Sequence, residues 1–271
     1  MLQRLLQTFQ NDSDFQTIIS GIRSGMREQL ISGLAGSARQ VMIAALKQEI
    51  DRPILIVTHN VYAAQKITED LQEICHSDSV LLYPANELTL IDIAVSSPET
   101  VAQRIDVLSK LASGFRGIVV VPYAGLRKLQ PIKEVYQNAQ FRIQVHQTVP
   151  LSEMANRLTA LGYERVERVE KKGEFSVRGG IMDVYPLTVD VAYRIEWFDD
   201  DIESIRTFNP DDQRSIDRLD SLTITPAREI IVDEQRCRNA ADHAADLLQQ
   251  QLAKMTVTHG KDKLRDALEE E

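Results

Sequence analysis

Between Ile31 and about Tyr123, short runs of consecutive apolar residues alternate with stretches whose apolar residues recur three or four positions apart. The continuous runs at 54–58, 80–83 and 117–121 read as strands covered on both faces. Residues 39–50 carry Val41, Ile43, Ala44, Leu46 and Ile50 at helical spacing, and 61–75 do the same through Ala64, Ile67, Leu71 and Ile74. Ser97-Pro98-Glu99 opens a third helix, with the serine as cap and proline in the first turn. The rhythm predicts parallel strands joined by crossover helices. After about Gly125 it gives way to antiparallel pieces and a single helix at 152–161. Gly179-Gly180 divides 174–185 into two extended runs, and Asp199-Asp200-Asp201 sits between two more as a tight hairpin turn, with one of Trp197 and Phe198 facing the core. From Asp233 onward Ala240, Ala244, Leu247, Leu248 and Leu252 mark one long helix, and 264–271 still reads as helical, as in a piece of a longer polypeptide.

Composition narrows the function classes. A chain of 271 residues, 43% hydrophobic and 26% charged, is folded and exceeds the usual size of one core. Its net charge of -9 argues against a sequence-independent grip on phosphate backbones, leaving only a local basic face from Arg116, Arg127, Lys128 and Lys133 for DNA. Cys75 and Cys237 are far apart, which suits a reducing cytoplasm, predicts two buried thiols and argues against disulfides and zinc. Nothing approaches the ~20 apolar residues of a membrane span, and Met1-Leu-Gln-Arg lacks a signal pattern. The five histidines are scattered, so no metal site and no catalytic residue is assigned.

One constellation stands out. Gly33-Leu-Ala-Gly-Ser-Ala-Arg-Gln40 lies between a weak strand at 29–32 and a clear helix, where a phosphate-binding loop of the form G-x-x-x-x-G-K-[ST] belongs. Gly33 remains, and Gly36 lies within the loop. Ala38 replaces the second glycine, Arg39 the lysine, and Gln40 the hydroxyl that would coordinate magnesium. Three such departures imply that phosphoryl transfer has been lost.

The wider text resembles a known family. Gly33 to Arg39, Ile54-Leu-Ile-Val-Thr-His-Asn60, Leu82-Tyr-Pro-Ala-Asn-Glu87, 97–106, Gly173-Glu-Phe-Ser-Val-Arg-Gly-Gly-Ile-Met-Asp-Val-Tyr-Pro186 and 193–208 together look like the amino-terminal region of the bacterial transcription-repair coupling factors. That region is similar to the front of the excision-repair helicase UvrB, with the nucleotide loop spoiled and without a tyrosine-rich hairpin in 83–97. The resemblance implies an α/β fold: a degenerate P-loop-NTPase-like parallel-sheet domain over 1–126, interrupted by a small α+β inserted domain over 127–210, and completed by a return segment and long helix over 211–271.

It also implies a non-catalytic interaction module that recruits UvrA to stalled transcription complexes and is masked by the carboxy-terminal domain of the full-length protein. No cofactor belongs to this chain; ATP and magnesium serve a motor domain outside it, as DNA and RNA polymerase are engaged by regions outside it. Arg165 in Tyr163-Glu-Arg165 and Arg178 in 173–178 match the motif whose arginines contact UvrA, with Phe175 as apolar anchor and Tyr185 as a further aromatic; Ser176 stands where the helicase has another arginine. From the residues alone, Phe175 reads equally as core and the arginines as a solvated face. The alternative is an ATP-dependent DNA translocase or helicase fragment retaining nucleotide or DNA binding.

Overall fold

The computed structural model describes residues 2–85, 97–127, 129–231 and 234–254. Two compact units divide the chain, 1–231 and 232–271. The first opens with helices α1 (Leu2–Gln10) and α2 (Ser13–Arg23), the second capped by Asp12, whose carboxylate accepts from the amides of Asp14 and Phe15. Leu6, Phe15 and Ile19 pack on Val41, Met42 and Ala45 of α3 (Ala38–Glu49).

Strand β1 (Ile54–Thr58), helix α4 (Val61–Ile74), strand β2 (Val80–Leu82), helix α5 (Pro98–Ala112) and strand β3 (Ile118–Pro122) then form a parallel sheet of order β1-β3-β2. The sequence rhythm predicted this alternation. Ser97 caps α5 by accepting from the Thr100 amide. Ala64 and Leu71 of α4 cover one face of the sheet and Val107 of α5 the other, so central β3 is buried along its length. β1 departs from expectation. It is an edge strand with Leu55 and Val57 exposed, although its run is as continuously apolar as that of β3. The strand expected at 29–32 is absent: the segment has no regular structure and Leu30 is 97% exposed. Without a neighbour to pair its amides or cover its side chains, a short apolar run has nothing to hold it extended.

The chain continues through α6 (Lys133–Ala139), β4 (Phe141–Gln144), α7 (Leu151–Ala160), β5 (Glu164–Arg165), β6 (Glu174–Arg178), β7 (Ile181–Val184), β8 (Ala192–Phe198), β9 (Asp201–Phe208), β10 (Ser215–Leu219) and β11 (Ser221–Ile224). Six strands form one sheet of order β10-β9-β8-β7-β6-β5, antiparallel throughout except for the short parallel pair β5–β6. β11 returns to pair with β4. One face of the larger sheet, with Phe175, Met182, Ile195 and Ile205, closes on Leu158 of α7 and on Ile143 and Leu222 of the small sheet. In the β8–β9 hairpin Asp199 takes a positive φ of 52°, Trp197 is buried and Phe198 is exposed.

A buried ion pair crosses between these halves. Arg104 of α5 donates from an Nη to Glu229 at 3.1 Å and from Nε to the Pro84 carbonyl at 2.7 Å, and both charged side chains are almost fully buried. Beside it, burial, reinforced by the Glu229 charge, pushes the Tyr83 hydroxyl from its usual value near 10 to about 12.

The second unit contains α8 (Glu234–Lys254), on which every side chain from 237 to 251 is exposed. Of the two thiols expected to be buried, Cys75 is half-buried and Cys237 exposed. Among the described residues no helix is long and apolar enough to cross a membrane, and no group of side chains could hold a metal ion. The helical reading of 264–271 and most of the hairpin region, 86–96, lie outside the described residues.

Glu229→Gln removes the carboxylate that faces buried Arg104 and should lower unfolding free energy by about 3–5 kcal/mol in urea titrations. A raised tyrosine pKa means that the folded state holds the phenol proton more tightly. The contribution of Tyr83 is therefore fully present below pH 10 and lost as pH rises through about 12. Thermal melts across that window should show falling stability, with a shallower fall in Tyr83→Phe.

Candidate partner-binding site

Period-two alternation sets the site. On β6, Phe175 and Val177 point to the core face while Glu174, Ser176 and Arg178 point outward; on β7, Met182 and Val184 join the core and Asp183 the outer face. Gly179 turns the chain with φ at 59°, and Gly180 leaves no room for a side chain, since a Cβ there would lie 2.9 Å from the Trp197 carbonyl oxygen.

Arg178 and Arg165 come together. With Arg168, Val166, Glu167 and Val177 they border one open depression at the edge of the sheet, where β5 ends after two residues and the chain turns away from β6. The Arg165 side chain is exposed and has no ion-pair or hydrogen-bond partner among the described residues. Arg178, with its side chain 49% exposed, donates through one Nη to Asp183 at 2.7 Å. Arg168 donates to the Asp211 carbonyl at 3.2 Å and stands 3.8 Å from Glu170. Its position was not singled out in the sequence, although it lies three residues beyond Arg165.

Asp183 organises the outer face. It is 1% exposed, and Arg194 on β8, its register partner, clasps it with two hydrogen bonds of 2.7 and 2.9 Å. Arg194 also donates to the Gln213 side chain at 3.1 Å and lies over the Phe208 ring at 4.6 Å. The bond to Asp183 pushes the Arg194 pKa further up, so the guanidinium stays charged.

The two aromatic residues expected in the contact lie elsewhere. Phe175 is 0% exposed at the centre of the core, so its placement on a binding surface is corrected: its strand position turns it inward, opposite Val184. Tyr185 is half-buried against Val169, Ala192 and Phe208, donates its hydroxyl to the Asp190 carbonyl at 3.2 Å, and has the Lys172 ammonium 5.9 Å from its ring. It lines a neighbouring cleft with Lys171 and Lys172, and is not part of the arginine-bordered depression.

At the other candidate site, Gly33 and Gly36 both take positive φ, 84° and 56°, ahead of α3. Ala38 begins the helix, Arg39 is exposed, and the Gln40 amide donates to Asp70 of α4 at 2.9 Å. Arg39 and Gln40 line a cleft of about 380 Å³ with Ile56 to His59 and part of α4. This is where strand ends and a helix start converge, but the position that would present a hydroxyl to a metal carries an amide bonded within the fold.

Residues 141–230 match the family model described as the UvrB interaction domain. Over 273 aligned residues the chain is 45% identical to the transcription-repair-coupling factor of Bacillus subtilis (strain 168), covering 96% of this chain. Along nearly its whole length the chain is thus similar to a transcription-repair-coupling factor. A second such factor, from Staphylococcus aureus (strain bovine RF122 / ET3-1), is 35% identical over 79% of this chain. The chain spans about a quarter or less of the length of these coupling factors, 23% and 18% respectively. The arginine-bordered depression, Asp183 and Arg194 all fall inside the part of this chain that matches the interaction domain.

Phe175→Ala should behave as a core deletion, costing about 3–5 kcal/mol in chemical denaturation. Arg165→Ala, by contrast, should leave the unfolding midpoint within about 0.5 kcal/mol of the parent.

Proposed function

We propose that this chain is a non-catalytic docking module that binds UvrA through the depression bordered by Arg165, Arg168 and Arg178, and so recruits it to stalled transcription complexes. One observation carries the reading: arginines 13 positions apart in sequence present exposed guanidinium groups around a single depression beside half-buried Val166 and Val177. Forked donors with apolar flanks suit carboxylates on a protein partner, and a few such anchors dominate binding energy. Phe175 supports this surface from within, and Tyr185 packs beneath Lys172.

The unit that performs the docking begins near 127 and runs to about 230 rather than 210, because β11 pairs with β4 and Leu222 and Ile224 complete its core. Residues 1–126 form the degenerate P-loop-like platform. The Gly33–Gln40 loop is a relic that hydrolyses no nucleotide, since Arg39 and Gln40 replace the lysine and the hydroxyl and Gln40 is committed to Asp70. Motor activity, with its ATP and magnesium, and contacts to DNA and RNA polymerase belong to regions outside this chain. Its carboxy-terminal domain masks the docking surface, and the cytoplasm is its compartment. Among the described residues nothing favours the alternative of a nucleotide-driven translocase fragment.

Calorimetric titration of the chain with UvrA tests the proposal. Arg165→Ala and Arg178→Ala should each weaken binding by about tenfold or more, roughly 1.4 kcal/mol. Arg116→Ala, on the exposed surface of the α/β half, should change nothing. Binding that both substitutions leave intact places the interface elsewhere.

A further inference from the structure

We infer that Asp183 is a positioning residue for UvrA binding: buried and anchored by Arg194, it holds the half-exposed Arg178 guanidinium in place with donor hydrogens left for a partner. The inference rests on the docking reading above and extends it to groups that no partner can touch.

The geometry forms a relay from interior to surface. Phe208, fully buried, stacks under Arg194; Arg194 clasps both oxygens of Asp183; and the Oδ2 of Asp183 accepts a third hydrogen bond, from one Nη of Arg178. A single hydrogen bond on one Nη leaves the Nε and the other Nη of Arg178 without acceptors among the described residues, on a side chain that is half exposed. The bonded nitrogen, Nη2, is shared by both forked edges of a guanidinium, and its second hydrogen completes one of them with a neighbouring nitrogen that can take a carboxylate bidentately.

Charge points the same way. Asp183 is shared by Arg178 and Arg194, and the neighbouring Arg206 is matched by Glu196 at 3.3 Å, so three guanidinium groups face two carboxylates. The surplus positive charge sits at the exposed end of the relay, where an acidic side chain of the partner would complete the balance. A long arginine held in one rotamer also has less conformational entropy to lose on binding than a free one. Asp183 thus acts through Arg178, whereas Arg165, which has no partner among the described residues, acts on its own.

Affinity for UvrA measured across a set of variants tests this. Asp183→Asn should weaken binding about as much as Arg178→Ala, roughly tenfold. The double variant Asp183→Asn/Arg178→Ala should bind no more weakly than Arg178→Ala alone, whereas Asp183→Asn combined with Arg165→Ala should lose the product of the two effects. Arg178→Lys keeps the charge at a half-exposed position that tolerates substitution; it should also lose most of the tenfold, because an ammonium bonded to Asp183 cannot offer a planar fork. This last variant stands even if Asp183→Asn fails to fold.

Parent-like affinity in Arg178→Lys, or multiplying losses in the Asp183/Arg178 double variant, overturns the positioning role while leaving the docking surface intact. Failure of the docking reading looks different: Arg165→Ala and Arg178→Ala would both bind UvrA like the parent, and the inference would fall with it.

Discussion

A carboxylate removed from water survives in a protein only where opposite charge and hydrogen bonds replace its hydration, because the uncompensated cost is several kcal/mol. Asp183 is such a group, and much of the six-stranded sheet is arranged around it. Its register partner is Arg194, its diagonal neighbour is Arg178, and the 209–214 loop brings Gln213 over Arg194. The opposite faces of the same strands carry Met182 against Ile195 in the core. Sliding β7 by one residue would turn Asp183 into the apolar core and Met182 outward, so the charged and apolar faces enforce the same register.

This two-faced construction separates stability from recognition. Apolar side chains of β6 to β9 close on α7 and the β4–β11 pair, and the polar face is left free to carry charge. Phe175 and Arg178 are three positions apart on one strand and therefore serve opposite purposes, one holding the sheet to its core and the other standing half in solvent. The α/β half is tied to this unit by Arg104 and Glu229, 125 residues apart, whose burial makes their contact costly to break. Ahead of α3, Gly33 and Gly36 keep positive φ, and the Gln40 side chain is bonded to Asp70 within the fold.

Local pattern was a good guide to elements. The apolar runs and helical spacings give the three parallel strands and the helices between them close to their observed bounds, and the Gly179-Gly180 and Asp199–Asp201 turns fall between strands as their chemistry requires. Pattern was weaker where burial depends on neighbours. The runs of β1 and β3 look alike, yet one is an exposed edge and the other is buried, and the apolar residues at 29–32 have no strand beside them at all. For Phe175 the residues alone left core and surface equally open, motif resemblance drew it to the surface, and its place on β6 turns it inward.

By itself, then, the amino-acid sequence determined the three parallel strands, the helices between them and the turns at 179–180 and 199–201, because those depend on spacing along a few residues. Tertiary structure alone decided that Arg165 and Arg178 border one depression, that Asp183 sits beneath Arg178 with Arg194 behind it, and that Arg104 meets Glu229. Each of these depends on the order in which strands pair and on what covers each face, and both are set by contacts between residues far apart in the chain.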